Sequence, residues 1–169
     1  VNAGFWSALE SRAGPAGVAE VDAVLEAFEL MTVDEAGWPH VAWLGPAEVV
    51  VIPARRLALA LWPGSSTRAN LGRHGRAVLQ LVSEPLVYRA RLDVEEVGPI
   101  VLEAGELAGF VADVVDVVED AVGYATVSSG PTYRLVGADA VTERWRQQVE
   151  GLLEAVAGSA GPPGSAGSH

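Results

Sequence analysis

The chain has no cysteine and no lysine among its 169 residues. Without thiols, disulfides and thiolate metal sites are excluded. Without ammonium groups, all eleven basic residues are arginine. Any anion site must therefore use guanidinium, backbone N–H or hydroxyl donors. Base is scarce overall: the formal charge is −11. Such a chain repels a polyanion, which sets nucleic acid aside as a partner. Histidine is scarce too. His40 and His74 are far apart in sequence and His169 lies in the tail, so no metal site is expected. No apolar run reaches the roughly 18–20 residues of a membrane span, so no membrane partner is expected. The first residues do not read as a secretory signal. With the missing cysteine, this sets the expectation of a cytoplasmic protein. The lysine-free, Ala-, Gly- and Val-rich composition also has a plain origin in GC-rich coding.

What is present is apolar. Half of the residues are hydrophobic, and the length suits one core. Residues 1–157 read as one domain. The Gly-, Pro- and Ser-rich 158–169 reads as a flexible tail.

Along the chain, helices are expected over 1–27. "NAGFWSALESRAG" gathers Phe5, Trp6 and Leu9 on one side, "GPAG" breaks it, and "VAEVDAVLEAF" repeats the period through Val21, Val24, Leu25 and Phe28. "FELMTVDEAGWPHVAWLG" then reads as a hairpin turning at Asp34–Gly37. "AEVVVIP" and "RRLALALW" form a second hairpin, its near-continuous apolar runs suiting strands buried on both faces or lining a small barrel. A short helix in "STRANLGRHG" closes at Gly72 or Gly75, and two strands, "RAVLQLVS" and "VYRARLDVEEVG", follow. "LEAGELAGFVADVVDVVEDAVGYA" places Leu107, Phe110, Val111, Val114, Val118 and Val122 on one helical face. It reads as a helix, although its valines weaken that propensity and leave packing to hold it. Asp113, Asp116, Glu119 and Asp120 would form its wet side. "PTYRLVGA" reads as a last strand and "VTERWRQQVEGLLEAVAG" as a helical period, with 139–157 open between one helix and a strand followed by a helix. Closely spaced strands with few helices predict an α+β fold on a small antiparallel barrel.

One short stretch carries chemistry. In "WPGSSTRANL" a strand end leads through Pro-Gly into a helix start, where free N–H groups and the helix dipole favour an anion. Ser65, Ser66 and Thr67 add hydroxyls and Arg68 a guanidinium. The same residues also read as an ordinary N-cap beside a solvated arginine. There is no Walker motif.

In its wider setting the stretch resembles a known family. "TVDEAGWPHVAWLG", "WPGSSTRANL", "GRAVLQLV" and "YRARLDVEEVG" follow in the order and spacing of the FMN-binding split-barrel family of pyridoxamine 5′-phosphate oxidase and its relatives. The resemblance runs from Phe28 to Val97, and again over "YRLVGADAVTERW". It implies a six-stranded antiparallel split barrel with flanking helices. It also implies a homodimer with FMN at the subunit interface and a small-molecule substrate. By the same resemblance, Ser66, Thr67 and Arg68 grip the FMN phosphate with Ser65 beside them, and Asn70 braces the loop. Val41, Ala42, Trp43 and Leu44 form the strand that faces the flavin ring. Arg89 contacts the flavin from a later strand, and Trp145 approaches it from the closing segment.

The chain departs from the oxidase itself. Arg146-Gln147-Gln148 follows Trp145 where the oxidase has an Arg-x-His pair, and the family's lysine is missing. The reading is therefore a small flavin-reductase or general-stress type of relative, and not a vitamin B6 oxidase. The expected activity is transfer of hydride or electrons between a reduced nicotinamide and a small acceptor. The alternative is a non-catalytic module binding haem, a deazaflavin or no cofactor. No catalytic acid or base is singled out, since a flavin carries the electrons itself. His40 reads either as a flavin neighbour or as a strand hydrogen-bonder. Trp38, Trp43 and Trp62 read as stacking, interface or core residues.

Overall fold

The computed structural model describes residues 2–19, 21 and 24–160. Two short helices, α1 (Ala3–Glu10) and α2 (Gly14–Ala19), lead into β1 (Leu25–Glu26) and β2 (Phe28–Val33). The second expected helix is thus displaced. Gly14-Pro15 starts a helix instead of only breaking one, with Gly14 at φ 60° and proline at a position where a missing N–H costs nothing. Leu25 and Phe28 belong to strands. Residues 20, 22 and 23 of that expected helix lie outside the described residues, as do 161–169 of the tail.

The hairpin of β2 and β3 (Pro39–Leu44) forms as expected. Asp34 builds its turn, its Oδ1 accepting from Ala36 N at 2.9 Å and Trp38 N at 2.8 Å, and Gly37 takes φ 88°. A second hairpin pairs β4 (Val49–Ile52) with β5 (Arg56–Leu61). Then come α3 (Ser66–His74), β6 (Arg76–Ser83), β7 (Leu86–Leu102), β8 (Gly105–Asp120), β9 (Thr132–Tyr133) and α4 (Ala138–Ser159). Gly75 ends α3 at φ 61°, donating its N–H to Leu71 O.

The expected helix over 102–125 is mostly a strand. β8 pairs with β7 along its length and with β5 over Ala108–Asp113. Valine, stiff at its branched Cβ, packs well on a pleated surface and poorly in a helix. Its acidic residues face solvent as cross-strand partners: Asp113 of Arg56 at 2.7 Å, Asp116 of Arg91 at 3.9 Å and Asp120 of Arg89 at 2.8 Å.

All strand pairs are antiparallel. The main sheet has seven strands in the order β3-β2-β6-β7-β8-β5-β4, one more than expected, and β1 and β9 form a separate pair. Its two edge strands both turn side chains, Leu44 and Val49, into one core with Leu30, Leu59, Leu79, Leu92 and Phe110. The sheet is therefore curled round its own interior, with a seam between β3 and β4 bridged by the turn at 45–48. Phe5, Trp6 and Leu9 of α1 pack into the same core. β5 is buried on both faces, as its unbroken apolar run suggested. Leu57, Leu59 and Leu61 point into this core, while Ala58 and Ala60 meet a second one. That second core lies under α2 and α4 and includes Val111, Ile100, Trp145, Val149 and Leu152. Gly151 lets α4 approach β7: a Cβ there would lie 2.8 Å from Ile100.

Candidate cofactor site

β5 ends at Leu61, and Trp62-Pro63-Gly64 turns the chain into α3. Ser65 is the N-cap, its hydroxyl accepting from Arg68 N at 3.1 Å. The ordinary cap reading is therefore realised at Ser65, and this hydroxyl is already engaged. Ala69 N donates to Ser65 O. Among the described residues, the N–H groups of Ser66 and Thr67 have no partner within the chain, as the first turn of a helix requires. Ser66 is exposed, while Thr67 is only 3% exposed and turns its side chain inward. Thr67 therefore offers an anion its N–H and not its hydroxyl. Asn70 is buried and donates to Thr32 Oγ1 at 3.0 Å, which ties α3 to β2.

Arg68 lies on this turn but is not free. Its Nη1 donates to Pro63 O at 3.1 Å, and its Nη2 to Glu96 Oε1 at 2.8 Å. A phosphate arriving here would meet two free N–H groups, the positive end of α3 and a guanidinium, together with a carboxylate that must give that guanidinium up.

The other residues of the expected site lie elsewhere. In β3 the side chains alternate across the sheet. Val41 and Trp43 are exposed, while Leu44 is buried and Ala42 packs against the core. Their side chains cannot all face one ring. Arg89 stands on the outer sheet face in a chain of polar contacts. It donates to Gln80 Oε1 at 2.7 Å and to Asp120, and Gln80 donates to Glu29. His40 is partly buried opposite Thr32. Trp38 and Trp62 are exposed, which removes the core reading for both.

Trp43, Leu44 and Trp145 do come together, round a cavity of about 290 Å³ that Ala27, Gly45, Glu48 and Tyr133 complete. It shares no lining residue with the small cleft at Pro63, Arg68 and Glu96. The implied contacts are thus split between a helix start and a separate aromatic cavity. Glu48 and Tyr133 were not singled out in the sequence. The one available signal was a lone carboxylate ahead of the apolar run "VVVI". Gly45 N donates to Glu48 Oε2 at 2.6 Å. Burial pushes the Glu48 carboxyl up to about 7, with Gly45 N–H and Arg144 opposing. Burial, and then the neighbouring Glu48, push Tyr133 up to about 12. A larger cavity, about 450 Å³, lies on the outer face over Met31, Val33 and Val78, flanked by Arg76 and Arg91. It contains none of the expected residues. Among the described residues there is no cluster of three or more metal-ligating side chains, and no helix is long and apolar enough to cross a membrane.

No family model matches the chain. A curated relative, the uncharacterized protein YclD of Bacillus subtilis, is 32% identical over 127 residues, covering 75% of this chain and 82% of that protein. Among solved structures, an F420 reductase is similar with a TM-score of 0.51 at 15% identity, covering 70% of this chain and 98% of its own. A flavin-reductase candidate with a split barrel domain from Shewanella frigidimarina is similar at a TM-score of 0.44 and 12% identity, covering 66% and 80%. The likeness to the F420 reductase shows a shared fold. The identity with YclD shows the family: the chain belongs to the family of that protein.

Proposed function

We propose that the protein is a homodimeric split-barrel flavoprotein of the flavin-reductase or general-stress type, which holds FMN by its phosphate at the start of α3. The observation that carries this reading is the pair of unpartnered N–H groups of Ser66 and Thr67 beside the Arg68 guanidinium, at the end of a barrel strand. These are the donors that an anion needs, and in a lysine-free chain only an arginine can complete them. Bound FMN would supply the hydride and electron chemistry between a reduced nicotinamide and a small acceptor. The chain's own part is to fix the phosphate with Ser66, Thr67 and Arg68 and to orient the ring. Exposed Val41 and Trp43 of β3, with Trp38, supply an apolar face that a second subunit would cover. Arg89, held by Gln80 and Asp120, and Trp145 remain proposed ring contacts across that interface. A cytoplasmic location belongs to the same proposal, and the cysteine-free chain is compatible with it.

The test is the visible spectrum of the purified protein, followed by titration of flavin-free protein with FMN. Saturable binding at micromolar FMN is expected. No binding at that concentration sinks the reading. Parallel titrations with a deazaflavin and with haem identify the cofactor if FMN fails.

A further inference from the structure

The cavity of about 290 Å³ at the β3–β4 turn has aromatic walls and one carboxylate. Trp43 comes from β3, Glu48 from the turn, Tyr133 from β9 and Trp145 from α4. Two regions distant in sequence, 43–48 and 133–145, therefore build it. Two polar groups in it lack what they need. The Tyr133 hydroxyl is buried and has no hydrogen-bond partner among the described residues. Glu48 takes one hydrogen bond, from Gly45 N to Oε2, and among the described residues it makes no ion pair within 4 Å. A largely desolvated carboxylate normally has a cation beside it. The groups that face it are the neutral phenol of Tyr133, from β9, and the more distant, charged guanidinium of Arg144, from α4.

Ligand chemistry follows from these two groups. An anion would meet the carboxylate head on. A neutral carbonyl would accept from Tyr133 and leave Glu48 as it was. An ammonium has several donors and no acceptor, so it can donate at once to the carboxylate and to the phenol oxygen as acceptor. Tryptophan faces attract the same charge. We propose that this cavity binds a small organic cation, an alkyl- or arylammonium, held by the Glu48 carboxylate between Trp43 and Trp145. The site shares Trp43 and Trp145 with the proposed flavin and interface contacts but not the Ser66–Arg68 turn, and its test uses no flavin, so its failure is distinguishable from that of the flavin reading.

The probe is benzylammonium, titrated calorimetrically into the full chain without added flavin, with benzyl alcohol and benzoate as neutral and anionic counterparts. Benzylammonium should bind at least tenfold more tightly than either. Only ionised Glu48 attracts it, and this carboxyl titrates at about 7. Affinity should therefore rise about tenfold from pH 6 to pH 8. Glu48→Gln should abolish the preference for the cation while leaving the circular dichroism spectrum unchanged. Equal binding of the three probes, no binding at about 1 mM, or a pH-independent affinity would each overturn the proposal. The native-chain comparisons decide the matter even if the variant fails to fold.

Discussion

Replacing Glu48 by glutamine should flatten the protein's stability profile between pH 4.5 and 7. In the fold, burial raises this carboxyl from the ordinary 4.5 to about 7. The native state therefore holds the Glu48 proton more tightly than the unfolded chain does. The resulting stability is fully present below pH 4.5 and is lost as pH rises through about 7. At about 1.4 kcal/mol per pH unit the rise is worth ~3 kcal/mol, as a ceiling. Glutamine is nearly isosteric, and its carbonyl oxygen keeps an acceptor for Gly45 N. The variant should thus match the wild type at pH 4.5 and exceed it by up to ~3 kcal/mol at pH 8. Urea unfolding at half-unit pH steps measures both profiles. Two parallel curves, offset by a constant, would show that Glu48 is not held in a desolvating site and would refute the reasoning.

Two further substitutions probe other parts of the account. Glu96→Gln should release Arg68 from its 2.8 Å pair and tighten FMN binding by about 1 kcal/mol, read as a lower Kd in the FMN titration. Phe110→Ala, at the middle of β8 and 1% exposed, should cost about 3–5 kcal/mol in urea unfolding because it empties the centre of the main core.

Much of the fold was legible because local chemistry and tertiary need agreed. The β2–β3 turn was readable from Asp34 and Gly37, whose side-chain bonds and positive φ are local properties. The helical period of α4 was readable because only one of its faces is buried, on Trp145, Val149 and Leu152. The period alone leaves its start at "VTERW" open between strand and helix, and the structure shows one helix, Ala138–Ser159. β8 was misread because its segment 107–112 is buried between two cores. Burial on both faces erases the alternation that identifies a strand, and the spacing left behind imitates a helix. The phosphate turn was legible as a helix start, but the Arg68–Glu96 pair joins residues 28 apart and has no local signature. The same holds for the Glu48 cavity, where the curled sheet and α4 set the turn at 45–48 against β9 and Trp145.

The central claim is that the start of α3 grips a phosphate through Ser66, Thr67 and Arg68. Comparing FMN with riboflavin, which lacks the phosphate, isolates that grip from any affinity for the ring. The wild type should prefer FMN by at least tenfold. Arg68→Ala should lose about 1.5–3 kcal/mol of FMN affinity and leave riboflavin binding unchanged. Equal affinity of the wild type for the two flavins, or an Arg68→Ala variant that binds FMN as tightly as the parent, would contradict the account.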